Sequence, residues 1–249
     1  MIQLPKILDN RRNGKVVDEL QQNLNKGTKL SVISAYFTIY AFAELKKELS
    51  RIDELRFIFT QPTFVKQGRE LQREFYIQHH NEKSISGNEF EIKLRNEMRQ
   101  AAIAKECSDW IRKKVSIKSL RCQNAAQPRL IHINNGDDSV AINGSVDFTT
   151  DGLGITPSNR IDYNTCIYGN EQTSIYLQMF NELWDDALAV EDVKAQVLEQ
   201  MQVLYKENPP EFIYFITLYN IFQAYLGELT EDNIIKTRTG IKETAIWQK

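Results

Sequence analysis

The apolar positions of this chain change period several times, and the changes mark out its elements. An extended arm leads to a helix from about Lys15 to Leu24, where Val16, Val17, Leu20 and Leu24 recur at helical spacing. Asn25-Lys26-Gly27 closes it, glycine being suited to the left-handed position after a helix. Leu30 to Phe37 is apolar enough for a strand buried on both faces. A helix from Tyr40 to Leu49 presents Phe42, Leu45 and Leu49 on one side, and Leu55 to Phe59 is the next strand, ended by the turn 60–63. Strand, helix and strand with short joins predict a βαβ unit with parallel strands and a right-handed crossover.

The middle of the chain is helical and charged. Residues 67–78 predict one helix and Phe90 to Cys107 a longer one, with a polar loop between them, together a helical insertion able to cover a sheet edge. From Arg112 to Arg121, charged residues alternate with Val115, Ile117 and Leu120, the pattern of a strand with one wet face. Arg129 to Asn134 and Ser139 to Asn143 read as two strands of a hairpin, because Asn135-Gly136-Asp137 between them reaches positive φ at low cost. Asp162 to Tyr168 predicts a last central strand, and Gln172 to Leu188 a helix with Ile175, Met179, Leu183 and Trp184 inward. Phe180 and Trp184 at i,i+4 read as core rather than as a base-stacking platform. Val190 to Lys206 predicts another helix. After Pro209-Pro210, the run from Phe212 to Phe222 is apolar nearly all round. It is too short to span a bilayer, so it needs burial on two sides. These elements make an α/β protein: a mixed sheet flanked by helices, then a helical C-terminal extension.

Composition adds limits. The 249 residues are 42% hydrophobic and 26% charged, ordinary for a globular protein, and long enough for one large domain or somewhat more. A net charge of −2 gives no overall basic field, so any contact with nucleic acid falls to a local patch. The three cysteines, Cys107, Cys122 and Cys166, form no Cys-x-x-Cys pair and read as reduced thiols of a cytoplasmic protein. The first residues lack the charged start and apolar run of a signal peptide. His79 and His80 are adjacent and diverge by about 100° on a helix, with no further ligand at metal-site spacing, so no metal is expected.

Candidate chemistry gathers at the hairpin. Gly144-Ser145 follows its second strand, and a Gly-Ser turn at a strand end offers a hydroxyl and backbone N–H groups to an anion. The stretch Gly144-Ser145-Val146-Asp147-Phe148-Thr149, followed by Gly152-Leu153, resembles the Gly-Ser-x-Asn-Phe-Thr tail of the phospholipase D superfamily. The resemblance takes His132 as the motif histidine, which in the family attacks phosphorus to form a phosphohistidine. It takes Asp162, on the next strand, as the acidic residue. Asn134 stands where the family has lysine, and Asp147 where it has the final asparagine. At the motif spacing the family aspartate falls at Ser139, with Asp137 and Asp138 coming too early. The candidate site is therefore His132, Asn134, Ser145, Asp147 and Asp162, with the phosphate-holding charge weakened. Arg129, three residues before His132, points to the other face of its strand and cannot replace the lysine. Arg112, Lys113, Lys114, Lys118 and Arg129 are the candidates for contact with a nucleic-acid backbone.

The tail extends the resemblance. Asn208 to Phe222 and Thr239 to Trp247 look like the connector of bacterial superfamily II DNA helicases of the Swi/Snf type, in which a phospholipase D-like domain precedes the ATPase. The motor's own motifs do not occur in this sequence. The expectation is a phospholipase D-like domain at 1–188 and a helical connector at 189–249 leading toward a motor outside it. ATP and Mg would belong to that motor alone, with no cofactor in this chain. Three functions follow. One is a DNA-binding or targeting module with a degenerate phosphate site. The second is a metal-independent nuclease, which requires a homodimer bringing two copies of His132 together. The third is an interaction domain that regulates the ATPase. Helicases of this layout occur near restriction and phage-defence genes, which suggests that setting; no membrane partner is expected. A basic surface from Arg112 to Lys118 adjoining Ser145 would favour targeting over interaction.

Overall fold

The computed structural model describes residues 4–60, 89–122 and 129–205. They build an eight-stranded mixed sheet in the order β1-β7-β6-β5-β2-β3-β4-β8. The strands are β1 (Lys6–Leu8), β2 (Lys29–Ser34), β3 (Glu54–Phe59), β4 (Val115–Leu120), β5 (Arg129–Asn134), β6 (Ser139–Gly144), β7 (Asn164–Tyr168) and β8 (Val190–Asp192). β2, β3 and β4 run parallel, and the other pairings are antiparallel. The helices are α1 (Val16–Asn23), α2 (Ile39–Glu44), α3 (Lys46–Leu49), α4 (Glu89–Lys114), α5 (Asn170–Asp185) and α6 (Lys194–Tyr205).

Strand alternation sorts the side chains into two cores. Leu30 and Val32 of β2, Leu55 and Phe57 of β3, and Ile131 and Ile133 of β5 join a large cluster with Leu20, Phe42, Leu49, Trp110 and Met201 from the helices. On the opposite face, Ile33, Ile58, Leu120, Leu130 and Ala141 pack against Phe180 of α5 and Val190. The sheet is thus covered on both sides, which explains why β2 is buried from Leu30 to Ser34 on both of its faces.

The α/β class, the parallel β2–β3 unit and the hairpin agree with the sequence pattern. Asn135-Gly136 makes the predicted turn, with Gly136 at φ 85° and its N–H bonded to the Asn134 side chain at 2.8 Å. Three details differ. The helix expected over 40–49 is broken at Leu45 into α2 and α3. Arg112, Lys113 and Lys114 form the last turn of α4 rather than the start of a strand. Cations suit a helix C-terminus, and Lys114 Nζ donates there to the carbonyls of Ser50 and Ile52. Residues 190–192 form an edge strand on β4 instead of opening a helix.

The chain divides into two compact units, one of residues 1–83 and 97–205, the other of 84–96 and 206–249. The first therefore continues past the boundary expected near Ala189, because Val190, Val193, Val197 and Met201 are buried in its cores. The second contributes the opening turns of α4 to the described residues. The helix expected over 67–78, His79, His80 and the connector from Asn208 lie outside them. Among the described residues no helix is long and apolar enough to cross a membrane.

Candidate functional site

The hairpin register fixes where the motif residues stand. Gly144 lies opposite Arg129, Ala141 opposite His132, and Ser139 opposite Asn134. At about 3.3 Å per residue, His132 is ~10 Å along the strand from the Gly-Ser turn, and Asn134 is ~17 Å from it. His132 also faces the α5 side, with Ser31 beside it on β2. Arg129 faces the other way, toward Asp147. The structure thus brings Ser145, Asp147, Asp162 and Arg129 together and leaves His132 and Asn134 out.

Around the Gly-Ser turn nearly every polar group has a partner. Asp147 is 1% exposed. It accepts from Ala35 N at 3.1 Å and from Ser34 Oγ at 3.2 Å. Arg129 Nε lies 3.0 Å from it and Arg160 Nη1 3.4 Å from it. Arg160 also reaches Asp162 at 3.4 Å and Asp151 at 3.6 Å, and it donates to the Ser145 carbonyl at 3.0 Å. These three carboxylates keep its guanidinium firmly charged against the cost of partial burial. The Ser145 hydroxyl donates to Asp162 at 3.0 Å, and its N–H to Asn164 at 2.9 Å. Asn10 completes the set. Its Nδ2 donates to Asp162 and to the Gly152 carbonyl, while its Oδ1 accepts from Val16 N at the start of α1.

That arrangement does not suit a phosphate. The two donors a Gly-Ser turn would offer are already used within the chain. Three aspartates, Asp147, Asp151 and Asp162, outnumber the two arginines among them. An incoming anion would meet net negative charge and would have to break existing bonds. Gly144, at φ 150°, is locked in place as well: a Cβ there would lie 2.3 Å from the Tyr163 carbonyl oxygen.

His132 occupies a different environment. It is 1% exposed, and neither ring nitrogen has a hydrogen-bond partner. Burial, then the nearby Arg56 guanidinium, pulls its pKa down to about 4, so the ring is neutral near pH 7. Arg56 donates to Ser31 Oγ at 3.1 Å and lies over the Phe180 ring at 4.8 Å. Phe180 stacks on Trp184 at 5.6 Å, as core rather than as an open platform. A neutral imidazole has the lone pair a nucleophile needs, but α5 covers this face and leaves no path for a phosphodiester.

The basic candidates are similarly dispersed. Arg112 is paired with Asp109 at 2.9 Å and donates to Tyr205 Oη. Lys118 Nζ donates to the Trp184 carbonyl at 2.7 Å, above the Trp184 ring. Arg112 to Lys114 precede the start of β4, whereas Gly144 is level with the far ends of β2 and β4, so the run does not adjoin Ser145. Among the described residues no group of three or more His, Cys, Asp or Glu side chains could hold a metal.

Sequence reasoning missed Arg160, Asp151, Ser34, Asn10 and Arg56. Arg160 carried the best signal, as a single cation among Asp147, Asp151 and Asp162. Asn10, distant in sequence, carried none.

A scan against known protein families finds no match, and neither does a search of characterised protein sequences. Solved structures do align. Phosphatidylserine synthase of Haemophilus influenzae Rd KW20 matches over 81% of this chain and 44% of its own, with 14% identity and a TM-score of 0.44. Polyphosphate kinase of Porphyromonas gingivalis matches over 77% of this chain and 24% of its own, with 9% identity and a TM-score of 0.46. This chain spans less than half the length of either, and neither likeness carries a substrate or a chemistry across to it.

Proposed function

We propose that this chain is a catalytically silent, phospholipase D-like accessory domain of a larger DNA helicase, holding or positioning the motor rather than cutting DNA. The observation that carries the silent character is the closed Gly-Ser turn. Ser145 and Asp147 have their partners inside the chain, and His132 is buried on the other face. The link to a helicase rests on the resemblance of Asn208 to Phe222 and Thr239 to Trp247 to a helicase connector. Between the two non-catalytic readings, the separation of the basic run from Ser145 favours interaction with the motor over targeting to DNA. Targeting keeps one point in its favour, the exposure of Arg112 and Lys113 at the end of α4.

The test is incubation of the chain with labelled single- and double-stranded DNA, with and without EDTA, beside His132→Ala. The expected result is no cleavage by either protein and at most weak, salt-sensitive binding. Cleavage that survives EDTA and disappears in His132→Ala would overturn the reading in favour of a phosphohistidine nuclease. Tight binding abolished by Lys113→Glu would move it to targeting.

A further inference from the structure

Helix α5 crosses one face of the sheet obliquely. It starts beside the hairpin turn, where Thr173 meets Ser139, and ends over β4, where the Trp184 carbonyl accepts from Lys118 Nζ at 2.7 Å. Beyond that line the sheet is roofed only by one edge of the helix, formed by Tyr176, Met179 and Leu183 at i, i+3 and i+7. Between this edge and the sheet lies a cavity of about 540 Å3. Ile33, Leu120 and Leu130 form its floor, with Met179 and Leu183 above, and it opens to solvent beside Met179, which is 53% exposed.

Charge and hydrogen bonding decide the kind of ligand. Arg129 is the one charged residue among the described residues lining the cavity, and its guanidinium lies on the opposite face of β5, against Asp147 at 3.0 Å. A charged ligand would lose its hydration here with no counter-ion to meet. The other polar side chains are neutral: Asn143, Tyr176 and the exposed Cys122. Asn143 stands on the α5 face, opposite Leu130. Neither Asn143 nor Tyr176 has a side-chain hydrogen bond among the described residues, and a carboxamide and a phenol can each donate and accept. Small-molecule pockets are of this size and combine apolar walls with a few such groups that fix orientation. We infer that this cavity is a binding site for an uncharged, mainly apolar small molecule bearing one neutral head, a hydroxyl or a carboxamide. The body packs on Leu130, Met179 and Leu183, and the head meets Asn143 and Tyr176. The site is separate from the closed Gly-Ser turn and does not depend on the function proposed above.

The test titrates N-phenyl-1-naphthylamine, an uncharged fluorescent probe, into the whole chain. The probe is then displaced with three naphthalenes that differ only in head group: 2-naphthol, 2-methylnaphthalene and 2-naphthoate. The expected result is saturable 1:1 binding, with naphthol about tenfold tighter than the naphthoate anion. Asn143→Leu and Tyr176→Phe each weaken naphthol about fivefold and leave methylnaphthalene unaffected. Met179→Trp and Ala189→Phe, which fill the cavity, weaken every ligand. Each variant is checked for an unchanged melting temperature. Tyr176→Phe removes a single oxygen, so it keeps the head group under test should Asn143→Leu fail to fold. Cys122 gives the location independently. It is exposed while Cys107 and Cys166 are buried, so a maleimide labels it first, and bound probe slows that labelling. Absence of saturable binding overturns the assignment, as does binding that neither slows Cys122 labelling nor responds to the cavity-filling variants. Naphthoate as tight as naphthol overturns the neutral class of ligand. Naphthol binding unchanged in both Asn143→Leu and Tyr176→Phe overturns the role of the head group.

Discussion

The two halves of the hairpin motif have opposite fates. At the Gly144–Asp162 end, the buried carboxylates are richly partnered: Asp147 alone has two backbone or hydroxyl donors and two arginines. At His132, three residues along the same hairpin, a titratable ring is buried with both nitrogens unpartnered. A saturated cluster contributes stability and specificity, whereas an unpartnered buried group costs about 1–3 kcal/mol. The lesson is that matching residue types in sequence do not make a site: alternation along β5 sends Arg129 and His132 to different layers.

The saturated end gives the largest expected effect. Asp147→Ala leaves Arg129 and Arg160 facing each other without their shared carboxylate, and a broken buried ion pair costs about 3–5 kcal/mol. Urea denaturation should show that loss, together with loosening of the 144–162 segment in hydrogen exchange. A change below ~1 kcal/mol would mean that Asp147 is not the centre of the cluster. Gly144→Ala comes next, because its Cβ would strike the Tyr163 carbonyl and the Asn164 side chain. A cost of about 2 kcal/mol is expected, with the denaturant slope unchanged.

How much of this was legible follows the range of the interaction. The hairpin turn was readable because Asn135-Gly136 acts on its own backbone. The strands of the βαβ unit were readable because burial on both faces leaves neighbouring apolar residues, Val32-Ile33 in β2 and Phe57-Ile58-Phe59 in β3, where a half-exposed strand would alternate. Arg112 to Lys114 were misread because three cations before Val115 fit either a wet strand face or a helix end, and only the Ser50 and Ile52 carbonyls decide between them. Val190 to Asp192 reads as helix on local pattern, and pairing with β4 overrides it. At the candidate site the residue types were visible, but their partners, Asn10 and Ser34, come from more than a hundred residues away.

The unpartnered end predicts a gain. His132→Leu keeps an apolar neighbour for Ala141 while removing two unsatisfied nitrogens, and stability at pH 7.5 should rise by about 1 kcal/mol. The same variant reports on pH. The folded pKa of about 4 lies below the ordinary 6.5, so between those values the unfolded chain binds the proton more readily. Wild-type stability from this group is complete above pH 6.5 and is lost as pH falls toward 4, by up to about 3 kcal/mol. The difference between wild type and His132→Leu in urea midpoint should therefore widen at acid pH. A constant difference from pH 7.5 to 4.5 would show that His132 is not held neutral.

The smallest effect separates the two causes of that lowered pKa. Burial comes first and the Arg56 charge second. Arg56→Met preserves the apolar stem over Phe180 and removes the charge, at the loss of the bond to Ser31. The His132 ring should then protonate at a higher pH than in wild type, and still below 6.5 because α5 continues to cover it. The imidazole carbon-bound protons in an NMR titration read this directly. A return to the full 6.5 would mean that charge, not burial, isolates His132, and that the α5 face opens enough to admit water. A ring reached by water would again be within reach of a phosphate, and the contrast between the two ends of the hairpin would narrow to a matter of electrostatics.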